Sequence, residues 1–525
     1  MITLEIFALD QVGFPILSAL LFLPLATGLA LRFAQERIAY SIALVASAFE
    51  LVLALAVAFL FVHGTADAQF VERSPAIPGI GISYHVGVDG ISVLFLPIIA
   101  LITLLVVLYA EYSTNINARD YLVATLTLEA TLIGAFIALD LAMFWVFFVL
   151  ELVPAYFLIA RWGTGAGRVR AAREYVTFML LGSAAMLAGI VALAVNARSV
   201  TGSHSFDFVD LLRVPVPVEQ QVVIFFLLFV GFAIKAPVFP FHTWMPKVLE
   251  QGSVIGVSVF LVGIKLGTYG FLRFVIPLLP EGAREWSVIM LVLGGASIVY
   301  GAMIALIQTN LRRLLAFGSL SHMGMVMLGM FSLNLAGFQG ALLQMINLGI
   351  VGAGLFFVAG FLHARTGPPD LSVLGGLLDR VPVLAATFLV IAVAGIGLPG
   401  TNGFNGEHLV VLGAFESHWL VAIIAGAGTF LTAAYTLRYF QRAFLGEPAA
   451  DASVSRSRER TPMRDLRVRE LIISIALGGL VFWIGLDTGP FLRMMDGSLS
   501  ALESRVATEP VQAAPTHRSG ITTYR

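Results

Sequence analysis

The sequence predicts an all-α polytopic membrane protein of about fourteen transmembrane helices, with two inverted five-helix repeats and breaks in helices 7 and 12. Three observations carry that expectation. Hydrophobic residues make up 58% of the chain and charged residues 12%, with a mean hydropathy of +0.92, whereas soluble domains are about 45–50% apolar. Apolar runs of near-spanning length recur along the whole chain. Two lysines, Lys235 and Lys265, lie inside such runs, in a stretch interrupted by Pro237 and Pro240.

The runs fall at roughly 14–32, 38–63, 91–111, 119–139, 140–160, 173–195, 221–245, 250–277, 285–307, 313–331, 337–363, 382–412, 417–445 and 469–493. Only Asp140 separates the fourth from the fifth. The N-terminus, MITLEIFALDQVGF, has no basic stretch or small-residue cleavage site before its first run, so the first helix is expected to stay in the protein. Segment 64–90 alternates apolar and polar residues around glycines and predicts a short hairpin. Residues 1–112 are thus expected to form helices 1–3 with that hairpin, 113–277 the first repeat (helices 4–8) and 278–445 the second (helices 9–13). Segment 446–468 reads as a basic, solvated loop, 469–503 as helix 14, and 504–525 as a flexible tail.

Arginines set the expected orientation. Loops after odd-numbered helices carry Arg32, Arg119, Arg161, Arg312 and Arg365, and the longest adds Arg456, Arg458, Arg460 and Arg464. Loops after even-numbered helices have few, chiefly Arg73, Arg198, Arg213 and Arg284. The basic side is predicted cytoplasmic, with both termini opposite.

An ammonium in a membrane helix costs about 2.5–3.5 kcal/mol on insertion scales, so it is kept where it faces the bundle interior or a watery path. Lys235 stands just before Pro237 and Pro240, where a helix must break because proline lacks the backbone donor and clashes one turn back. A second break is expected at Leu398-Pro399-Gly400-Thr401-Asn402-Gly403, before a lone acid, Glu407. With Glu129, Glu151, His242, Lys265 and His322, these groups could form a lateral chain in which protons hop through bridging water. Each has a plainer alternative: a lysine can snorkel to the interface, His242 can bond a carbonyl freed at the break, Glu129 can be an inward polar contact, and His322 can be a hydrogen-bonded packing residue among Ser319, Ser321 and Gly324.

The runs ALDLAMFWVFF, ELVPAYFLIARWG, KAPVFPFHTWMP, GIKLGTYGFLRF, LRRLLAFGSLSHMGMVMLGM and GLPGTNGFNGE resemble the antiporter-like membrane subunits of respiratory complex I, in particular its M-type chains, over roughly residues 80–445. The wider family includes Mrp-type sodium/proton antiporters and membrane subunits of inorganic-carbon uptake systems. The resemblance implies that Lys235 is the central lysine of the broken seventh helix, Lys265 a connecting lysine, His322 a histidine of the linking region and Glu407 the outlet acid of the broken twelfth helix.

Departures from the family pattern stand beside these matches. The fifth-helix glutamate expected five residues before Pro154 is Val149, and the nearest acid is Glu151. Two residues turn a helix by about 200 degrees, so Glu151 need not face Lys235 unless the helix is distorted near Val153-Pro154. Lys247-Val248-Leu249, Leu348 and Asn310 replace the family's DAH, eleventh-helix histidine and aspartate.

The resemblance implies a proton-translocating subunit of an NADH-quinone oxidoreductase, without a redox centre or cofactor of its own, driven by redox chemistry in other membrane subunits. Alternatives are an ion-translocating subunit of an Mrp-type antiporter or carbon-uptake complex, moving protons or sodium, and a structural paralogue that has lost conduction. Each implies a multi-pass protein of the bacterial inner membrane that binds no nucleic acid.

Overall fold

The computed structural model describes residues 4–113, 118–447 and 463–507. Twelve of its helices are long and apolar enough to cross a membrane, and two shorter apolar helices, Phe95–Ala110 and Pro382–Gly395, occupy the third and twelfth predicted runs. The main helices are α1 Ile16–Phe33, α2 Glu36–Leu60, α3 Phe95–Ser113, α4 Ala118–Ile137, α5 Leu141–Leu150, α6 Leu152–Ala160, α7 Arg168–Thr201, α8 Val218–Lys235, α9 Trp244–Gln251, α10 Val257–Gly270, α11 Pro280–Ile307, α12 Leu311–Phe331, α13 Leu335–Thr366, α14 Pro382–Gly395, α15 Asn402–Ser417, α16 Trp419–Phe440, α17 Val468–Leu486 and α18 Gly489–Ala507.

Helix starts follow their caps. Asp140 accepts the amides of Ala142 and Met143 at 2.9 and 3.0 Å, which ends the fourth run and opens the fifth. Asn310 does the same for Arg312 and Arg313, so the amide that replaces the family's aspartate keeps the cap. Burial divides the bundle into centre and rim: the span containing α10 is 100% buried, whereas α2 is only 28% buried and exposes Val45, Phe49 and Val52.

The predicted hairpin is present as antiparallel β2 (Ala68–Ile77) and β3 (Ile82–Val88), with Arg73 opposite His85. It gains a third strand, β1 (Glu5–Phe7), parallel to β2, so the all-α bundle carries a small sheet at one end. Three residues gave too short a run to mark a strand in the sequence. On that end Arg73 meets Asp207 at 3.0 Å, and Asp207 meets the buried His85 at 2.6 Å. Burial pushes the Asp207 carboxyl up, but the His85 hydrogen bond and the charges of His85 and Arg73 outweigh it and hold the group below its usual range.

The last predicted run, 469–493, is corrected. α17 stops at Leu486 and a separate amphipathic helix, α18, follows, burying Met494, Met495, Leu499 and Leu502. Residues 504–507 are therefore helical; the rest of the expected tail, and residues 448–462 of the basic loop, lie outside the described residues.

Loops after the odd-numbered predicted runs share one face. Asp120 holds both Arg32 (3.5 Å) and Arg161 (3.1 Å), Arg312 donates to Thr164 and to the Gly252 carbonyl, and Arg365 clasps Glu470.

Candidate ion-translocation site

Lys235 is the last residue of α8, because Pro237 cannot continue the hydrogen-bond ladder. The break leaves backbone groups that side chains satisfy: Trp244 Nε1 donates to the Ile234 carbonyl (3.0 Å), and the Phe239 amide donates to Ser297 Oγ (3.0 Å). The ammonium, fully buried, donates to Glu151 Oε2 at 2.5 Å and to the Tyr175 hydroxyl at 3.4 Å. Phe148, Tyr175 and Phe260 present their rings 5.4–5.9 Å away, so cation–π attraction adds to the ion pair.

Glu151 stands beside a gap in the helix ladder yet keeps helical dihedrals (φ −54°, ψ −30°), with its amide bonded to the Phe147 carbonyl at 3.0 Å. α5 ends at Leu150 and α6 begins at Leu152, with Glu151 as the joint. Pro154 has no amide to give the Leu150 carbonyl, which is the physical cause of the interruption. Of the two placements left open by the sequence, Glu151 takes the one beside Lys235. Its second oxygen, Oε1, has no hydrogen-bond partner and lies where a side chain on Gly263 would be, 2.8 Å from that position's Cβ.

α10 forms the partition between this pair and the rest of the chain of ionisable groups. Its glycines face the pair: a Cβ on Gly267 would sit 2.5 Å from the Ala236 amide and the Phe232 carbonyl, so only glycine allows this backbone approach. Lys265, two residues from Gly263 and about 200 degrees around the helix, points the other way. Its ammonium donates to the Leu261 carbonyl at 2.9 Å and lines a cavity of about 40 Å³. The cavity is shared with Ser319, His322, Thr432 and Tyr435. Such a volume is large enough for ordered water, which needs about 10–15 Å³.

His322 lies within electrostatic reach of Lys265 and places Nδ1 3.8 Å from Glu407 Oε1. Glu407 follows the second break, where α14 ends at Gly395 and Gly397 (φ 77°) and Gly400 (φ 89°) take the left-handed conformation. Thr429 donates to its Oε2 at 2.8 Å and Gln344 to its Oε1 at 3.5 Å. Asn347 donates to the Asn402 carbonyl at 2.6 Å, tying α13 to the first turn of α15.

Five of the predicted residues thus form two groups, Glu151–Lys235 and Lys265–His322–Glu407. His242 stands apart, stacked with Phe239 and edge-on to Tyr300, with Nδ1 unpartnered. Glu129 is fully buried on α4 and contacts neither group through a hydrogen bond or ion pair. Tyr175, Gln344, Asn347 and Thr429 were not singled out from the sequence, where uncharged polar residues give no signal inside an apolar run. Among the departures, Lys247 pairs with Glu174 at the rim, and Leu348 lines the Lys265 cavity in place of an imidazole.

The family model described as NADH:quinone oxidoreductase/Mrp antiporter, TM, matches residues 138–432. NADH-quinone oxidoreductase subunit M of Rickettsia prowazekii is 33% identical over 498 residues, covering 93% of this chain and 98% of that protein. A chain of respiratory complex I from Thermus thermophilus with bound NADH superposes with a TM-score of 0.85 at 32% identity, over 94% of this chain and 100% of that one. A chain of the Mrp complex from a Dietzia species shares the fold, with a TM-score of 0.79 at 23% identity over 95% and 98% of the two chains.

Proposed function

Because the chain belongs to the NADH:quinone oxidoreductase/Mrp antiporter transmembrane family, we propose that it is the M-type membrane subunit of a complex I-like assembly in the bacterial inner membrane. In this reading it translocates protons, and the driving force is redox chemistry in other subunits. One observation carries the reading: a buried lysine at a helix break, ion-paired with Glu151, is followed across α10 by a cavity lined by Lys265 and His322, and His322 stands 3.8 Å from Glu407 at the second break. A purely structural chain would have little reason to retain so many desolvated charges.

The proposed mechanism alternates the two groups. When the Lys235–Glu151 pair is closed, the ammonium is held by opposite charge; when it opens, Lys235 loses that compensation and releases a proton towards Lys265. His322 and cavity water then bridge Lys265 and Glu407, and Glu407 passes the proton out beside Thr429. The charge bias of its loops supports a cytoplasmic position for the arginine-rich face.

Purified assembly reconstituted in vesicles tests this reading. Quinone reduction by NADH should acidify or alkalinise the lumen with no requirement for sodium. An assembly that retains this chain but lacks any quinone-reducing partner, or ion movement that tracks sodium alone, overturns it. A cysteine replacing Ser455 should react with an impermeant reagent from the cytoplasmic side only.

A further inference from the structure

α2, α3 and α4 enclose a second set of buried acids that the translocation chain does not use. Glu50 on α2 is 1% exposed, Glu129 on α4 is fully buried, and the two carboxyls lie within electrostatic reach of each other. All four of their oxygens lack hydrogen-bond partners. Two further polar atoms point the same way. The Thr103 hydroxyl of α3, fully buried, adjoins the Glu129 carboxyl without closing a hydrogen bond, and Ser47 Oγ, one turn before Glu50, is buried and unpartnered as well.

Their depth is central. Glu50 lies about 21 Å along α2 from Glu36, and Glu129 about 17 Å along α4 from Ala118, at 1.5 Å per residue, so both sit near the middle of a hydrocarbon core about 30 Å thick. Among the described residues, burial and the Glu50–Glu129 interaction, not a cation, dominate the surroundings of the two acids. The remaining charged residues of α1 to α4 stand near helix ends, and Arg469 of α17 donates to Tyr40, ten residues from Glu50, and to the Leu108 carbonyl, five residues from Thr103. The three helices are continuous at this level, so no backbone amide is free to donate.

An isolated carboxylate in such surroundings is prohibitively costly and neutralises instead, and two like charges sharing one site cannot both ionise. We propose that Glu50 and Glu129 form a proton-binding carboxyl pair, holding at least one proton between them with the Thr103 and Ser47 hydroxyls as partners. The pair flanks the translocation site: Leu132, one turn from Glu129 on α4, lies 3.0 Å from the Cβ position of Gly263, next to Glu151 Oε1.

A hydrophobic carbodiimide, which adds to protonated carboxyls in apolar surroundings, tests the assignment on the intact membrane assembly at neutral pH. Peptide mass spectrometry should find Glu50 or Glu129 modified, with the exposed Glu36 and Glu219 unmodified and the yield unaffected by sodium. Absence of modification at both residues overturns the proposal, as does protection by sodium, which would mark a cation site. The assignment does not depend on which ion the chain translocates, so its failure leaves that reading standing.

Discussion

Lys235 and Lys265 lie on either side of the glycine face of α10, and both are almost wholly enclosed, yet their surroundings solve the cost of burial in opposite ways. Lys235 has a carboxylate at 2.5 Å, a tyrosine hydroxyl and three aromatic rings. Lys265 has one backbone carbonyl of its own helix and a mostly apolar cavity that it shares with Ser319, His322, Thr432 and Tyr435. A tight pair in a dry pocket has two states, closed and open, and its charge is released only by separating the partners. A lysine on a cavity large enough for water can exchange protons without moving a partner. The difference suits the first site to gating and the second to relay.

The largest effect should come from breaking the pair. Lys235→Ala should abolish redox-driven proton movement and strand Glu151 as an uncompensated charge, at a cost of about 3–5 kcal/mol unless it takes up a proton. Replacing both, as Lys235→Met with Glu151→Met, should restore thermal stability without restoring proton movement. Wild-type proton movement in vesicles of either variant would remove the pair from the mechanism.

Glu407→Gln probes the open side. Thr429 can still donate to the amide oxygen, so the midpoint of thermal unfolding should change little, whereas proton movement should fall on the order of a hundredfold, as for loss of a positioned proton-transfer group. A stability loss as large as that of Lys235→Ala would show that both sites are held together by charge and would erase the contrast between them.

How much of this was legible depends on what kind of residue carries each feature. Both helix breaks could be read directly, since Pro237, Pro240 and Pro399 forbid continuous ladders, and the lone charges Lys235, Lys265 and Glu407 marked the site through their cost. Glu151 was legible as an acid but not as a partner, because the side of α8 and α10 that it meets depends on how the helices pack, which the sequence does not show. The polar neighbours of Glu407 carry no charge and left no trace in the hydropathy pattern. Glu50 obeys the same rule that flagged Glu129, a lone acid inside the run 38–63, and it gains meaning only once α2 and α4 are seen to bring the two together. α18 escaped because half of it is polar, and its apolar start merged with the run before it.

The smallest effect, and the finest test of the contrast, lies in two glycines. On α10, Gly263→Ala would put a methyl group 2.8 Å from Glu151 Oε1, closer than real contacts allow, and 3.0 Å from Leu132 Cδ2, a tight contact. Relief requires the carboxylate or the leucine to shift, and overpacking of that kind costs about 1–3 kcal/mol, only partly offset by the roughly 1 kcal/mol that alanine gains over glycine in a helix. On α13, Gly352 lines the Lys265 cavity, and a methyl group there meets only Leu261 Cδ1 at 3.5 Å, an ordinary contact. Gly352→Ala should therefore be neutral or slightly stabilising and leave proton movement within about twofold, since no strain mechanism applies. Gly263→Ala should lower the unfolding midpoint and slow proton movement several-fold by displacing the acid from Lys235. Equal tolerance at both positions would mean that the Glu151 carboxylate has room to move with the pair intact, and the gate would then have to lie in the α8 break rather than in the pair itself.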